Sequence, residues 1–189
     1  MSGFEEFRQL YAHNLIPASP VTDQALLNKY RGRVPDTLLE EWQISGFAGF
    51  GSGFIWLTDP SEMQYAITEW KLEPSWLIFG RTAFGDLFIW DGENVRGLFV
   101  HDGTDAWFTD DLKMFFEFSL CDDAFLEEVL RFSTFREALN RLEQVDRDEM
   151  YTYIPALVLG GEDSVDHLKK VKMREQLLLL SQLHRGDVS

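Results

Sequence analysis

Apolar residues at Phe4, Phe7, Leu10 and Tyr11 recur at the spacing of one helix face, which predicts an amphipathic helix over residues 3–13. Thr22 and Asp23 can cap a second helix carrying Leu26, Leu27 and Tyr30, with Gly32 as its stop. Pro35 suits the first position of a third helix that presents Leu38, Leu39 and Trp42 on one side and ends at Gly46. The period then changes. Residues 54–58 form a short β-rich run stopped by Asp59-Pro60, and residues 61–70 predict a short helix. Strand-like runs follow at 77–81, 86–90, 95–101 and 106–109, broken by turn signals that include Asp91-Gly92 and Asp102-Gly103. Strands this close in sequence must pair antiparallel, as a meander.

From Asp110 onward the pattern is helical again. Leu112, Phe115 and Phe116 share one face, Leu126, Val129 and Leu130 another, and Phe135, Leu139 and Leu142 a third. Residues 151–161 (YTYIPALVLGG) are apolar and end in a Gly-Gly turn, and residues 173–183 predict a last, leucine-rich helix. There is no internal repeat, low-complexity tract or Pro/Ser linker. The expected architecture is α+β, with helices packed around a small, mainly antiparallel sheet built from residues 54–109. Two closely packed subdomains are expected, 1–73 and 74–189, joined near residues 71–74.

Charge narrows the class of partner. The 189 residues hold 32 acids against 17 Lys and Arg, a net charge of −15. Such a chain repels bare nucleic acid and anionic membrane surfaces. A hydrophobic content of 45% is enough for a dense core. The N-terminal residues show no basic stretch, apolar run and cleavage site of a signal peptide, no stretch of about 18 apolar residues is present, and the lone Cys121 has no intrachain partner. A cytoplasmic location is the expectation.

The acidity is uneven. Residues 1–75 carry net −5 and residues 150–189 net zero, whereas residues 86–128 set only Arg96 and Lys113 against twelve acids, net −10. Asp favours turns and acids suit helix N-termini, which explains many of these positions locally. The same segment also reads as an electrostatic surface for a basic protein, interrupted by the aromatics Trp107 and Phe108. The candidate contact set is Asp102, Asp105, Trp107, Asp110, Asp111, Asp122 and Asp123, with Trp107 as anchor and the carboxylates steering approach.

Chemistry-bearing motifs are missing. The glycine-rich residues 46–53 (GFAGFGSG) lack the Gly-Lys-Ser/Thr ending of a phosphate loop and break GxGxxG at Phe54, so they read as a turn between helix and strand. Neither Asp102-Gly103-Thr104-Asp105 nor Asp91-Gly92-Glu93-Asn94 continues into a calcium-binding loop. His13, His101, His167 and His184 form no HExxH or zinc-finger spacing, and no GxSxG elbow occurs. Neighbouring acids disfavour a Cys121 thiolate, which suits a small hydrophobe rather than a nucleophile. The reading is a non-enzyme with no cofactor and no metal.

Phe7, Tyr30, Val34-Pro35, Leu38-Leu39, Trp42, Gly46, Gly53, Trp56 and Asp59-Pro60 together resemble a GAD-like domain. The segment from Ile154 to Gly161, with Leu178, Leu180, Gln182 and Leu183, resembles the end of the C-terminal domain found behind it in type VI secretion immunity proteins. The resemblance implies a cytoplasmic antidote of a Gram-negative bacterium that holds one cognate secreted toxin, a basic nuclease domain acting on DNA. The Pro-x-x-Leu-Leu element is shared with SMI1/KNR4-like folds, which leaves a regulatory protein-interaction module as one alternative and a cryptic hydrolase as another.

Overall fold

The computed structural model describes residues 4–186. Helix α1 (Glu5–Tyr11) buries Phe7 and Tyr11 but leaves Leu10 exposed, and a 3-10 turn over Ala12–Asn14 follows it; residue 3 of the predicted helix lies outside the described residues. Helix α2 (Gln24–Tyr30) starts where the Asp23 carboxylate accepts the Ala25 N–H at 2.8 Å, satisfying one of the free donors of the first turn. Helix α3 (Asp36–Ser45) begins one residue after Pro35 and stops at Gly46. Gly46 has φ +65°, and a Cβ there would stand 2.2 Å from the Ser19 carbonyl oxygen, so only glycine fits.

Six strands form one open antiparallel sheet in chain order: β1 (Gly49–Phe50), β2 (Ile55–Leu57), β3 (Leu77–Thr82), β4 (Leu87–Trp90), β5 (Val95–Phe99) and β6 (Thr104–Thr109). The meander expected from the closely spaced turns is present. The glycine-rich stretch is more than a turn, because β1 lies inside it and pairs with β2. Gly49 lacks a side chain where the Trp56 ring approaches: a Cβ would be 2.9 Å from it. Helix α4 (Gln64–Glu69) bridges β2 and β3, so residues 71–74 connect elements of the same sheet.

Alternation along the strands gives the sheet two apolar faces. One carries Phe79, Phe88 and Val95 into the larger core, which also takes α5 (Leu112–Glu117), α6 (Asp123–Glu128) and α7 (Phe132–Arg141). Phe115 and Phe116 meet Phe79 edge-on and tilted, at 6.1 and 6.0 Å between centroids, and Phe4 stacks on Phe116 at 4.0 Å. Each such pair adds about 1 kcal/mol beyond the area it buries. Phe4 thereby ties the start of α1 to the chain after β6. The other face carries Ile78, Leu87, Ile89, Leu98 and Val100 beneath α4 and α8 (Met173–Arg185).

A second, two-stranded sheet of β7 (Glu149–Tyr153) and β8 (Leu168–Lys172) precedes α8. Its second strand, Leu-Lys-Lys-Val-Lys, gave no strand signal because only Leu168 is buried in it. Fully buried Arg81 of β3 fastens the approach to this hairpin, donating to the carbonyls of Asp146 at 3.1 Å and Arg147 at 2.8 Å.

Candidate protein-binding surface

β6 is an edge strand, and three of its six residues are exposed. At the opposite edge, β1 is covered by Ile16, whose N–H and C=O bond Gly49 at 2.7 and 3.0 Å. Among the described residues, no strand covers β6 in that way.

Trp107 of β6 stands opposite Arg96 of β5. The Arg96 guanidinium lies 5.3 Å over the Trp76 ring, with Nε 2.7 Å from Asp91 Oδ2 and Nη1 3.6 Å from Asp105 Oδ2. Trp107 is 57% exposed, yet its indole N–H donates to Asn94 Oδ1 at 3.0 Å. An exposed indole fixed by a hydrogen bond and flanked by charge has the form of an interface anchor: large apolar area with little rotamer freedom to lose. Burial alone would raise the Asp91 carboxyl, but Arg96 and the N–H groups of Glu93 and Asn94 hold it down to about 2. It therefore stays ionised and keeps Arg96 neutralised.

The sequence-derived residues fall into three places. Asp105 and Trp107 lie on the same face of the sheet as Arg96, the face whose inner strands carry the smaller core. Asp110 and Asp111 lie at the far end of that strand, beside the β4–β5 turn, because Thr109 pairs with Val95. Asp102 sits at the other end, roughly 20 Å of strand away, and is bound to Arg131 at 2.6 Å. Asp122 and Asp123 lie beyond α5 at the start of α6, and Asp122 lines a shallow hollow with Cys121, Phe118, Glu6 and Glu117. Phe118 itself is 59% exposed.

Several of these carboxylates also hold the fold. Asp111 caps α5 by accepting the N–H groups of Lys113 at 2.7 Å and Met114 at 3.3 Å, and Asp122 caps α6 through Phe125 N–H at 2.8 Å. Among the described residues the Asp110 and Asp123 side chains find no hydrogen-bond or ion-pair partner. Trp76 and Arg96 complete the patch but escaped the sequence reading, since placing Arg96 against Trp107 needs the register, which a bulge between Val95 and Arg96 shifts.

The groups weighed for catalysis occupy other settings. His101 is buried and its Nε2 lies 3.0 Å from the Phe84 carbonyl, while the adjacent Asp102 faces Arg131. Burial pushes the His101 imidazole down, against the pull of Asp86. Burial, Glu117 and Glu6 push the half-buried Cys121 thiol up to about 11, where it is no nucleophile. A cleft of about 1030 Å³ is lined by Ile16, Phe47, Trp56 and Tyr65 together with Arg147, Lys172 and Arg174. Two of its acids are matched there: Glu62 with Arg147 at 2.6 Å, and Asp148 with Lys172 at 2.8 Å. Among the described residues no three His, Cys, Asp or Glu side chains converge as metal ligands, and no helix is long and apolar enough to cross a membrane.

Comparison with known proteins gives two family matches in tandem. The GAD-like domain matches residues 4–101, and the C-terminal domain of the type VI secretion immunity protein Tdi1 matches residues 109–184. The crystal structure of Atu4351 from Agrobacterium tumefaciens superposes with a TM-score of 0.78 at 16% identity, covering 95% of this chain and 88% of that one, so the fold is shared. No curated protein matches the chain.

Proposed function

Since the chain belongs to the GAD-like domain family and carries behind that domain a type VI immunity domain of the Tdi1 kind, we propose that it is an antidote that binds and neutralises one cognate effector, a DNase, by protein–protein contact. Immunity is the role the family supports. The nuclease target and the contact surface are the parts this reading adds.

The observation that carries them is Trp107, exposed but held by Asn94, on an uncovered strand within the most acidic segment of a chain of net charge −15. A DNase presents positive charge around its nucleic-acid groove. Opposite fields speed encounter and exclude wrong partners, while the buried aromatic supplies affinity. Asp105, Asp110 and Asp111 flank this anchor along the strand, and Asp102, Asp122 and Asp123 extend the negative field to either side. No chemistry on the effector is required; occupation of its basic surface is enough to keep DNA away.

The test is co-expression with the effector encoded beside this chain's gene, scoring survival and co-purification. Protection with a stable complex and intact DNA is expected. Protection without any complex would refute inhibition by contact.

A further inference from the structure

The loop between β7 and β8 includes the apolar PALVLGG stretch. Its backbone is closed on itself. Ile154 N–H donates to the His167 carbonyl at 2.9 Å, Leu159 and Gly161 N–H both donate to the Ala156 carbonyl at 2.9 and 3.1 Å, and Gly160 N–H donates to the Leu157 carbonyl at 2.9 Å. The two limbs touch where a Cβ on Gly161 would lie 1.9 Å from the Pro155 carbonyl oxygen. Ala156 is buried in the smaller core and Leu157 packs against the larger one, so the loop is anchored to both.

Three aliphatic side chains nevertheless point outward: Ile154, Val158 and Leu159 are 50%, 43% and 64% exposed. Such tips on a hydrogen-bonded, anchored loop give the fold only part of their apolar area, and exposed aliphatics gathered on one short loop mark contact surfaces. Glu162, Asp163 and Asp166 follow at once. Asp163 lies 3.9 Å from Arg131 Nε, and Arg131 also holds Asp102. The shoulder of the loop therefore adjoins the β5–β6 turn, where the acidic segment passes.

We propose that Ile154, Val158 and Leu159 form a docking knuckle that enters an apolar hollow with a basic rim on the effector. The inference rests on the immunity reading above and adds a contact that neither the acidic strand nor Trp107 supplies. Charge selects this occupant over a second copy of the chain. Two knuckles meeting head-on would press together chains that each carry −15, with exposed Glu162 beside the contact, even though Asp163 and Asp166 are matched by Arg131 and Arg141 of their own chain.

The test uses the full chain and the purified effector encoded beside its gene, with affinity, melting temperature and oligomeric state measured for the wild type, Leu159→Asp, Leu159→Ala and Val158→Asp. The expected result is a dissociation constant raised about 30-fold or more by either aspartate and about tenfold by Leu159→Ala. Melting temperatures should stay within about 2 °C, because these side chains are exposed. Leu159→Ala keeps the test decisive if an aspartate disturbs folding. Wild-type affinity in all stable variants overturns the knuckle and leaves the immunity reading standing. A wild-type chain that does not bind the effector overturns both. A wild-type dimer broken by Leu159→Asp, with effector affinity unchanged, assigns the knuckle to a second copy and also overturns the proposal.

Discussion

The Arg81 guanidinium lies 5.1 Å over the Trp56 ring, fully buried, and its hydrogen-bond partners are the carbonyls of Thr82, Asp146 and Arg147. Among the described residues no carboxylate is paired with it, and burial brings its pKa down to about 9 against the weaker pull of Tyr65 and Asp148. The group joins the GAD-like sheet to the segment leading into the C-terminal hairpin, through backbone geometry rather than an ion pair. Arg81→Ala takes the donor from the Arg147 carbonyl, leaves those of Thr82 and Asp146 with the Gly85 and Glu149 N–H groups alone, and opens a void beside Trp56, so a loss of about 2 kcal/mol or more is expected in urea unfolding. Arg81→Lys should recover little of it, since one ammonium cannot span carbonyls on two segments as the planar fork does. A neutral result for Arg81→Ala would mean that the two halves are held together elsewhere.

Trp107 separates binding from folding. Its ring is mostly in solvent, so Trp107→Ala should change stability by no more than about 1 kcal/mol. If it anchors the effector, the same change should cost about 2 kcal/mol of binding, near 30-fold in dissociation constant. Asn94→Ala frees the indole without removing it and should give a smaller loss of the same sign. Calorimetric titration of both variants checks the order; equal affinity for all three proteins would exclude Trp107 as the anchor.

The meander was legible because short turns such as Asp91-Gly92 leave consecutive strands no other pairing, and Leu112, Phe115 and Phe116 proved buried because their spacing is that of one helix face. Leu10 matched the same helical period yet faces solvent, since α1 meets its neighbours through Phe4, Phe7 and Tyr11. β1 and β8 were not legible: one is two residues within a glycine-rich stretch, and the other is mostly lysine, and tertiary pairing decides both. Acid enrichment located Trp107 and its neighbours along the chain. It could not separate carboxylates that cap helices from those free to face a partner, a difference set by backbone direction at Asp111 and Asp122.

That difference gives a charge prediction. Asp111→Ala and Asp122→Ala each remove a cap and should lower stability by about 1 kcal/mol. Asp110→Lys and Asp123→Lys remove no hydrogen bond and should act through the field alone, slowing association with the effector and flattening its dependence on salt. Stopped-flow rates over a salt series, compared with two acid-to-lysine reversals at exposed sites within residues 1–75, provide the measurement. Equal slowing by the control pair would leave net charge, and not the segment after β6, as the cause.

The buried cluster around His101 sets the expected pH dependence. Its Nε2 is within hydrogen-bond distance of the Phe84 carbonyl and must carry the proton of the neutral ring, while Nδ1 has no hydrogen-bond partner among the described residues. Burial lowers the folded pKa below the ordinary 6.5, so the unfolded chain takes up the second proton first. Stability from this group is complete above about 6.5 and is lost as pH falls toward the lower folded value, with a limiting slope of about 1.4 kcal/mol per pH unit. Asp86, in the same cluster, runs the other way: burial raises its carboxyl above 3.8, so its contribution is present in acid and fades as pH rises through the folded value. Asp91, held at about 2, gives a separate loss between 3.8 and 2. His101→Gln retains an N–H donor for the Phe84 carbonyl without a titrating ring. Its urea midpoint should therefore fall less than that of the wild type between pH 7.5 and 5. Parallel curves across the upper window would show that His101 keeps its ordinary pKa on folding, and that acid sensitivity near neutrality arises from another group.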